Sequence, residues 1–81
     1  MEMKEKWNII SEMVDEETGE PTCWSKEINH PKYGKYVWIT ENGENIFDIE
    51  IDRGSGFTVL KTCKSLASAK RWVSINLCNN F

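Results

Sequence analysis

Clusters of turn-forming residues recur at intervals of about ten residues between positions 15 and 56, which narrows the folds available to the chain. The clusters are DEETGEP (15–21), NHPKYG (29–34), ENGEN (41–45) and DRGSG (52–56). The strongest hairpin signal is Asn42-Gly43, because both residues tolerate the left-handed backbone of a tight turn. Short segments between regularly spaced turns predict antiparallel strands.

The segments between the turns have the composition of strands. They are TCWSKEI (22–28), KYVWIT (35–40), IFDIEID (46–52) and FTVLKTC (57–63). Apolar and acidic residues alternate most regularly in 46–52, the pattern of a strand with one buried and one exposed face. The acidic positions of this segment are Asp48, Glu50 and Asp52. The turns on either side are expected to pair this strand with both of its neighbours in sequence.

The periodicity of the apolar residues changes from that of a strand to that of a helix after residue 63. One side of the helical wheel carries Leu66, Ala69, Val73 and Leu77. Ser65 directly precedes them and is a favoured N-cap residue, while Asn79 and Asn80 are suited to end a helix. The pattern predicts a helix over residues 65–78.

The first fifteen residues fit two patterns. A helical stripe contains Met3, Trp7, Ile10 and Val14, and an alternating strand contains Trp7, Ile9, Ser11 and Met13. The strand is favoured, because VDEETGEPT (14–22) has the composition of a loop leading into the next strand. Either pattern predicts that residues 1–81 form a single α+β domain, an antiparallel sheet of four to five strands with one C-terminal helix packed on one face.

Targeting segments and a disulfide framework are not indicated. No apolar run approaches the ~20 residues that span a bilayer, and MEMKEKW lacks the basic-then-apolar order of a secretory signal. The three cysteines are an odd number, which fits reduced thiols better than disulfides. These features predict a cytoplasmic protein that does not associate with membranes.

Charge is distributed unevenly along the chain, although its net value is only −3. Residues 1–60 hold all 13 acidic residues and six basic ones, which gives −7. Residues 61–81 hold four basic residues and no acidic one, which gives +4. Two interpretations remain open: the two parts face each other across the fold, or a partner recognises one of them.

Catalytic and metal-binding residues are poorly represented. Cys63 lies between Lys61 and Lys64 ahead of the predicted helix, and such a setting favours the thiolate, which is the reactive form of a thiol. A nucleophilic cysteine also needs a base, and the single histidine of the chain, His30, lies in a different turn. The residues of types that bind zinc are Cys23, His30, Cys63 and Cys78. Their spacings include no close pair of the kind found in structural zinc sites. We therefore expect no enzymatic activity, no metal and no cofactor.

An aromatic row and an acidic row are the best candidates for a binding site. Both faces of segment 35–40 are apolar, and one of them carries Tyr36 and Trp38. One helix covers only one sheet face, so this aromatic row is expected to be exposed and to anchor a protein interface, provided that the N-terminal segment does not cover it. The acidic residues expected to act with it are Glu41, Glu44, Asp48, Glu50 and Asp52. The pattern predicts an interaction module that binds a basic surface of a protein partner.

Other interpretations of the same residues remain open. Nucleic acid is an alternative partner for the basic group near the C-terminus, which consists of Lys61, Lys64, Lys70 and Arg71. The negative net charge of the chain opposes long-range attraction to nucleic acid. The apolar rows are also compatible with an interface between copies of the chain in a homo-oligomer. Each charged row is also compatible with a solvated surface that binds no partner.

No motif places the chain in a named family, although it resembles two kinds of protein. The layout GKYVWITENGENIFDIEI (34–51) followed by GFTVLKTCKSLASAKRWV (56–73) resembles the three-strands-then-helix pattern of the small DNA-binding arms of phage integrases. The acidic strand departs from that pattern, because a DNA-reading sheet carries Lys or Arg there. In general character the chain resembles phage-encoded inhibitors of host nucleases, including anti-CRISPR proteins, which implies inhibition of a nucleic-acid-binding host enzyme.

Overall fold

A single antiparallel sheet and one helix account for the regular structure of the described residues. The structure is a computed structural model that describes residues 7–10 and 14–78. The strands are β1 (Asn8–Ile9), β2 (Cys23–His30), β3 (Gly34–Glu41), β4 (Phe47–Asp52) and β5 (Phe57–Cys63), and the helix α1 is Leu66–Asn76. The five strands are neighbours in the order of the chain, and each pair is antiparallel. The predicted α+β fold is confirmed.

The N-terminal segment is extended where the structure describes it, so the five-strand alternative is the one found. Ile9 pairs with Trp24 of β2, and the backbone N–H of Ile10 donates to the carbonyl of Cys23 at 3.0 Å. An isolated bridge then joins Val14 to Pro21. The remaining residues used in these predictions lie outside the described part of the chain: Met3, Ser11, Met13, Asn79 and Asn80.

The hairpin between β3 and β4 forms as predicted, but its turn is wider than an Asn-Gly pair alone. The Asn42 N–H donates to the Ile46 carbonyl at 2.9 Å, and the Ile46 N–H donates to the Gly43 carbonyl at 3.1 Å. The left-handed positions are Gly43, with φ 145°, and Asn45, with φ 60°. A two-residue Asn-Gly turn requires a left-handed backbone at both of its residues, which here would be Asn42 and Gly43. In the structure the second left-handed residue is Asn45 and not Asn42.

Helix α1 packs on one face of the sheet and closes the core. Its Ala69 and Val73 are fully buried, and they face the buried side chains Val37, Ile39, Ile49 and Ile51 of β3 and β4. The Ser65 Oγ accepts from the Ser68 N–H at 3.1 Å, so Ser65 caps the helix as predicted. Full burial of each large aliphatic side chain contributes about 1.5–3 kcal/mol to folding.

The opposite face of the sheet carries no described helix. We call it the open face, and its side chains in β3, β4 and β5 are Tyr36, Trp38, Thr40, Asp48, Glu50, Asp52, Phe57, Val59 and Thr62. The described residues also contain no helix long and apolar enough to cross a membrane.

Candidate functional site

The strand register brings the predicted aromatic and acidic rows onto the same side of the sheet. Trp38 of β3 lies directly opposite Glu50 of β4, and Thr40 lies opposite Asp48. Directly opposed residues of antiparallel strands project to the same face, because side chains alternate along each strand. Segment 35–40 is therefore buried through its aliphatic row, and its aromatic row lies on the open face.

Three aromatic rings form a continuous row across the open face. The Tyr36 and Trp38 ring centroids are 6.0 Å apart, and those of Trp38 and Phe57 are 5.0 Å apart in an edge-to-face arrangement at 83°. Phe57 is 59% exposed and the adjacent Val59 is 47% exposed. Rings in mutual contact lose little further freedom on binding, so they suit the centre of an interface.

The acidic row is held in place by neutral hydrogen-bond donors. Glu50 Oε1 accepts from Thr40 Oγ1 at 3.0 Å. Asp48 accepts from Thr62 Oγ1 at 2.6 Å and also from the Asn42 side-chain amide. Because these donors carry no charge, they orient the carboxylates without compensating their negative charge.

Asp52 ends the acidic row at the β4–β5 turn. It lies opposite Phe57 in the strand register, and its Oδ1 accepts from the Gly54 N–H at 2.7 Å. Gly54 has φ 89°, a left-handed conformation that favours glycine. The side chain of Asp52 therefore stabilises the turn and adds negative charge beside an exposed ring.

A cleft of about 400 Å³ opens between the aromatic row and the sheet edge formed by β1. Its lining consists of Ile10, Cys23, Trp38, Thr40, Glu50 and Phe57. The walls are mainly apolar, and the Glu50 carboxylate is the charged group among them. The cleft therefore combines aromatic surface with one negative charge.

Two of the predicted acidic residues do not share this face. Glu41 lies opposite Phe47 on the helix side of the sheet, where Phe47 packs against the core. Glu44 is exposed in the turn between β3 and β4. The structure thus gathers Tyr36, Trp38, Asp48, Glu50 and Asp52 on one surface and places Glu41 and Glu44 elsewhere.

Three of the four basic residues of the alternative site lie on the helix side of the sheet. Arg71 is exposed on α1, two positions from both buried core residues of the helix, and Lys70 is half-buried beside it. Lys61 lies opposite the buried Ile49, and Lys64 is exposed between β5 and α1. Lys61, Lys70 and Arg71 therefore lie on the opposite side of the sheet from the acidic row.

The cysteines and the histidine are placed apart from the open-face carboxylates, with one exception. Cys63 is buried at the end of β5, and His30 Nδ1 accepts from the N–H groups of Lys32 and Tyr33 at 3.0 and 3.2 Å. Cys23 is the exception, since its Sγ lies 3.5 Å from Thr40 Oγ1 at the base of the cleft. Among the residues that the structure describes, no three His, Cys, Asp or Glu side chains are grouped to hold a metal ion.

Several residues of this surface were not singled out in the sequence. Phe57 directly follows a turn and alternates with Val59, which is a usable signal for an exposed row. Thr40 follows the alternation of Tyr36 and Trp38, which is a similar signal. Ile10 carried none, because it reaches the cleft only through the pairing of β1 with β2.

Comparison of the chain with protein-family models, with curated proteins and with solved structures finds no match. The surface chemistry of the chain is therefore the basis for a functional proposal.

Proposed function

We propose that the chain is a non-enzymatic protein-interaction module whose open face binds a basic surface of a partner protein. The observation that carries this proposal is the direct opposition of Trp38 and Glu50 on a sheet face without a described helix. Aromatic side chains supply the buried contact area of an interface, and carboxylates around them select a partner of opposite charge.

A nucleic-acid-binding enzyme is the partner class that this surface fits best. Asp48, Glu50 and Asp52 repeat along one strand at about 6.6–6.8 Å, since each strand residue rises ~3.3–3.4 Å. A regular row of anionic groups presents to a basic groove the same kind of charge as a nucleic-acid backbone. Binding would then block the groove, and the module would act as an inhibitor in the cytoplasm.

The proposal is tested with the whole chain as bait in a cytosolic extract from its source. The Asp48→Lys/Glu50→Lys bait reverses two charges on the open face. The Glu16→Lys/Glu17→Lys bait makes the same change in net charge at two exposed residues of the β1–β2 connection. A specific partner is retained by the wild type and by the second bait and is lost from the first.

The purified partner then provides the quantitative measurement. Its affinity should fall as salt rises, because charge pairs at the rim of an interface are screened. Asp48→Asn/Glu50→Gln should weaken binding as well, and this variant retains acceptors for the Thr62 and Thr40 hydroxyl groups. Equal affinity of the wild type and the charge-reversed variant for the partner would exclude the acidic row as its binding site.

Nucleic-acid binding is the second candidate, since the acidic row lies on the opposite side of the sheet from Lys61, Lys70 and Arg71. A salt-dependent gel shift that is lost in Lys70→Glu/Arg71→Glu would support it. No shift of duplex or single-stranded probes at low salt would exclude it.

A further inference from the structure

The cleft on the open face has the chemistry of a site for a single cationic side chain. Trp38 and Phe57 provide two ring surfaces at 83° to one another, and the Glu50 carboxylate lies among the residues that line the same cleft. Cations bind over aromatic faces, most strongly over Trp, and the attraction increases when the site is partly desolvated. A carboxylate in the same site adds a charge-assisted hydrogen bond.

One ring of the open face already holds a cation in this way. Lys35 Nζ lies over Tyr36 at 5.5 Å from the ring centroid. The neighbouring Trp38 ring lines the cleft instead, and its edge-to-face contact is with Phe57. Of the two β3 rings, Trp38 is therefore the one that is placed to receive a cation from outside the chain.

Arginine fits the cleft better than lysine for two physical reasons. Its planar guanidinium stacks on aromatic rings and is more weakly hydrated than an ammonium group. It also matches a carboxylate in plane, and the Glu50 carboxylate is already oriented by Thr40 Oγ1 at 3.0 Å. The apolar lining from Ile10 and Phe57 suits the methylene stem of the side chain.

We propose that the cleft receives an arginine side chain of the basic partner, with the guanidinium stacked on Trp38 and hydrogen-bonded to Glu50. This proposal rests on the proposed function and names the group that anchors the partner. The volume of about 400 Å³ lies within the range for ligand sites, about 300–1,000 Å³, so the cleft has room for one arginine side chain.

The test uses the blocked amino acid Nα-acetyl-arginine amide and the ¹⁵N-labelled full-length chain. Nα-acetyl-citrulline amide is the matched probe, because citrulline has nearly the same shape as arginine without the charge. Arginine amide should shift the Trp38 indole N–H and the Phe57 amide, with a dissociation constant of about 1 mM that is typical of weak single-group contacts. Citrulline amide should cause much smaller shifts at the same concentrations.

Three variants locate the interaction. Glu50→Gln removes the charge but keeps an acceptor for Thr40, and Trp38→Leu removes the ring but keeps an apolar side chain. Each variant should bind arginine amide about tenfold more weakly, which is the loss expected for one charged hydrogen bond or one ring contact. Glu16→Gln is the control, because Glu16 is exposed in the β1–β2 connection outside the cleft lining and the substitution removes the same single charge as Glu50→Gln. It should change the affinity less than about twofold if binding is local to the cleft. The dispersion of the spectra reports that each variant is folded.

The outcomes separate this inference from the proposed function. Equal shifts with citrulline amide, shifts spread over the acidic surface, or unchanged binding in Glu50→Gln would overturn the arginine site. If a partner still depends on Asp48 while the cleft takes no arginine, the interaction face stands and the arginine site fails. If the cleft binds arginine but no partner depends on the acidic row, the arginine site stands and the proposed interaction face fails.

Discussion

The rings of Trp38 and Phe57 meet edge to face across β4, with centroids 5.0 Å apart at 83°. The two residues belong to β3 and β5, which are not neighbours in the sheet, and Glu50 of the strand between them pairs directly with Trp38. This contact forms one wall of the cleft. It therefore couples the stability of the open face to the shape of its candidate site.

The coupling between these two rings should be measurable. In a double-mutant cycle of Trp38→Leu and Phe57→Leu, we expect an interaction free energy of about 0.5–1.5 kcal/mol, the range for aromatic pairs beyond their burial. Urea denaturation of the wild type, the two single variants and the double variant provides the four free energies of unfolding. Strictly additive losses would mean that the edge-to-face contact contributes nothing in solution.

The same substitution at a buried and at an exposed isoleucine should change the free energy of unfolding by very different amounts. Ile49 is fully buried, whereas Ile75 on α1 is 58% exposed. Ile49→Ala should lower the free energy of unfolding by about 2–5 kcal/mol, and Ile75→Ala should change it by less than about 0.5 kcal/mol. Similar losses at both positions, measured by urea denaturation, would contradict the packing of the helix on this face.

The helix cap offers a second matched pair. Ser65→Ala removes the acceptor of the Ser68 N–H and should cost about 1 kcal/mol of the free energy of unfolding. Ser68→Ala keeps the backbone donor and places a better helix former on an exposed position, so its effect should be neutral or slightly stabilising. Equal effects of the two substitutions on the urea midpoint would argue against Ser65 as the cap.

The left-handed residue of the β3–β4 turn should respond to substitution according to its backbone angle. Asn45 has φ 60°, which glycine adopts without steric cost and alanine does not. Asn45→Ala should therefore lower the free energy of unfolding by about 1 kcal/mol relative to Asn45→Gly. A melting comparison that ranks alanine above glycine would mean that this turn has a different conformation in solution.

The separation of charge across the sheet makes a prediction about binding. Lys70→Glu/Arg71→Glu alters the helix side, so we expect affinity for the basic partner to stay constant or to rise slightly, since the variant is more negative. The measurement is a titration with the partner identified through the open-face baits. A large loss of affinity would place the interface on the helix side instead.

Local patterns in the chain were sufficient to predict most of its secondary structure. The alternation in residues 46–52 predicted which side of β4 is buried, and the stripe from Leu66 to Leu77 predicted the helix face that packs on the sheet. Ser65 was recognised as a cap because its role depends on a neighbour only three positions away. Signals of this kind are local, so they can be read without knowledge of the fold.

The candidate site was only partly predictable for the same reason. Tyr36, Trp38 and the three carboxylates of β4 were singled out because each row follows the alternation of a single strand. Glu41 was assigned to the same group, yet it has the parity of the buried row in β3 and lies on the helix side. Glu41 was grouped with Trp38 because it is close in sequence. Strand alternation would have placed the two residues on opposite faces of β3.

The amino-acid sequence by itself determined strands β2 to β5, the positions of the turns, the helix and the charge carried by each row, whereas it left the first fifteen residues open between a strand and a helix. Only the tertiary structure decided that Trp38 faces Glu50, that Phe57 reaches Trp38 across β4, and that Ile10 completes the cleft. These contacts depend on strand register, which the turns and the irregularity between Ile49 and Glu50 set together. A shift by one residue would exchange the two faces of a strand, so the register determines which residues form the site.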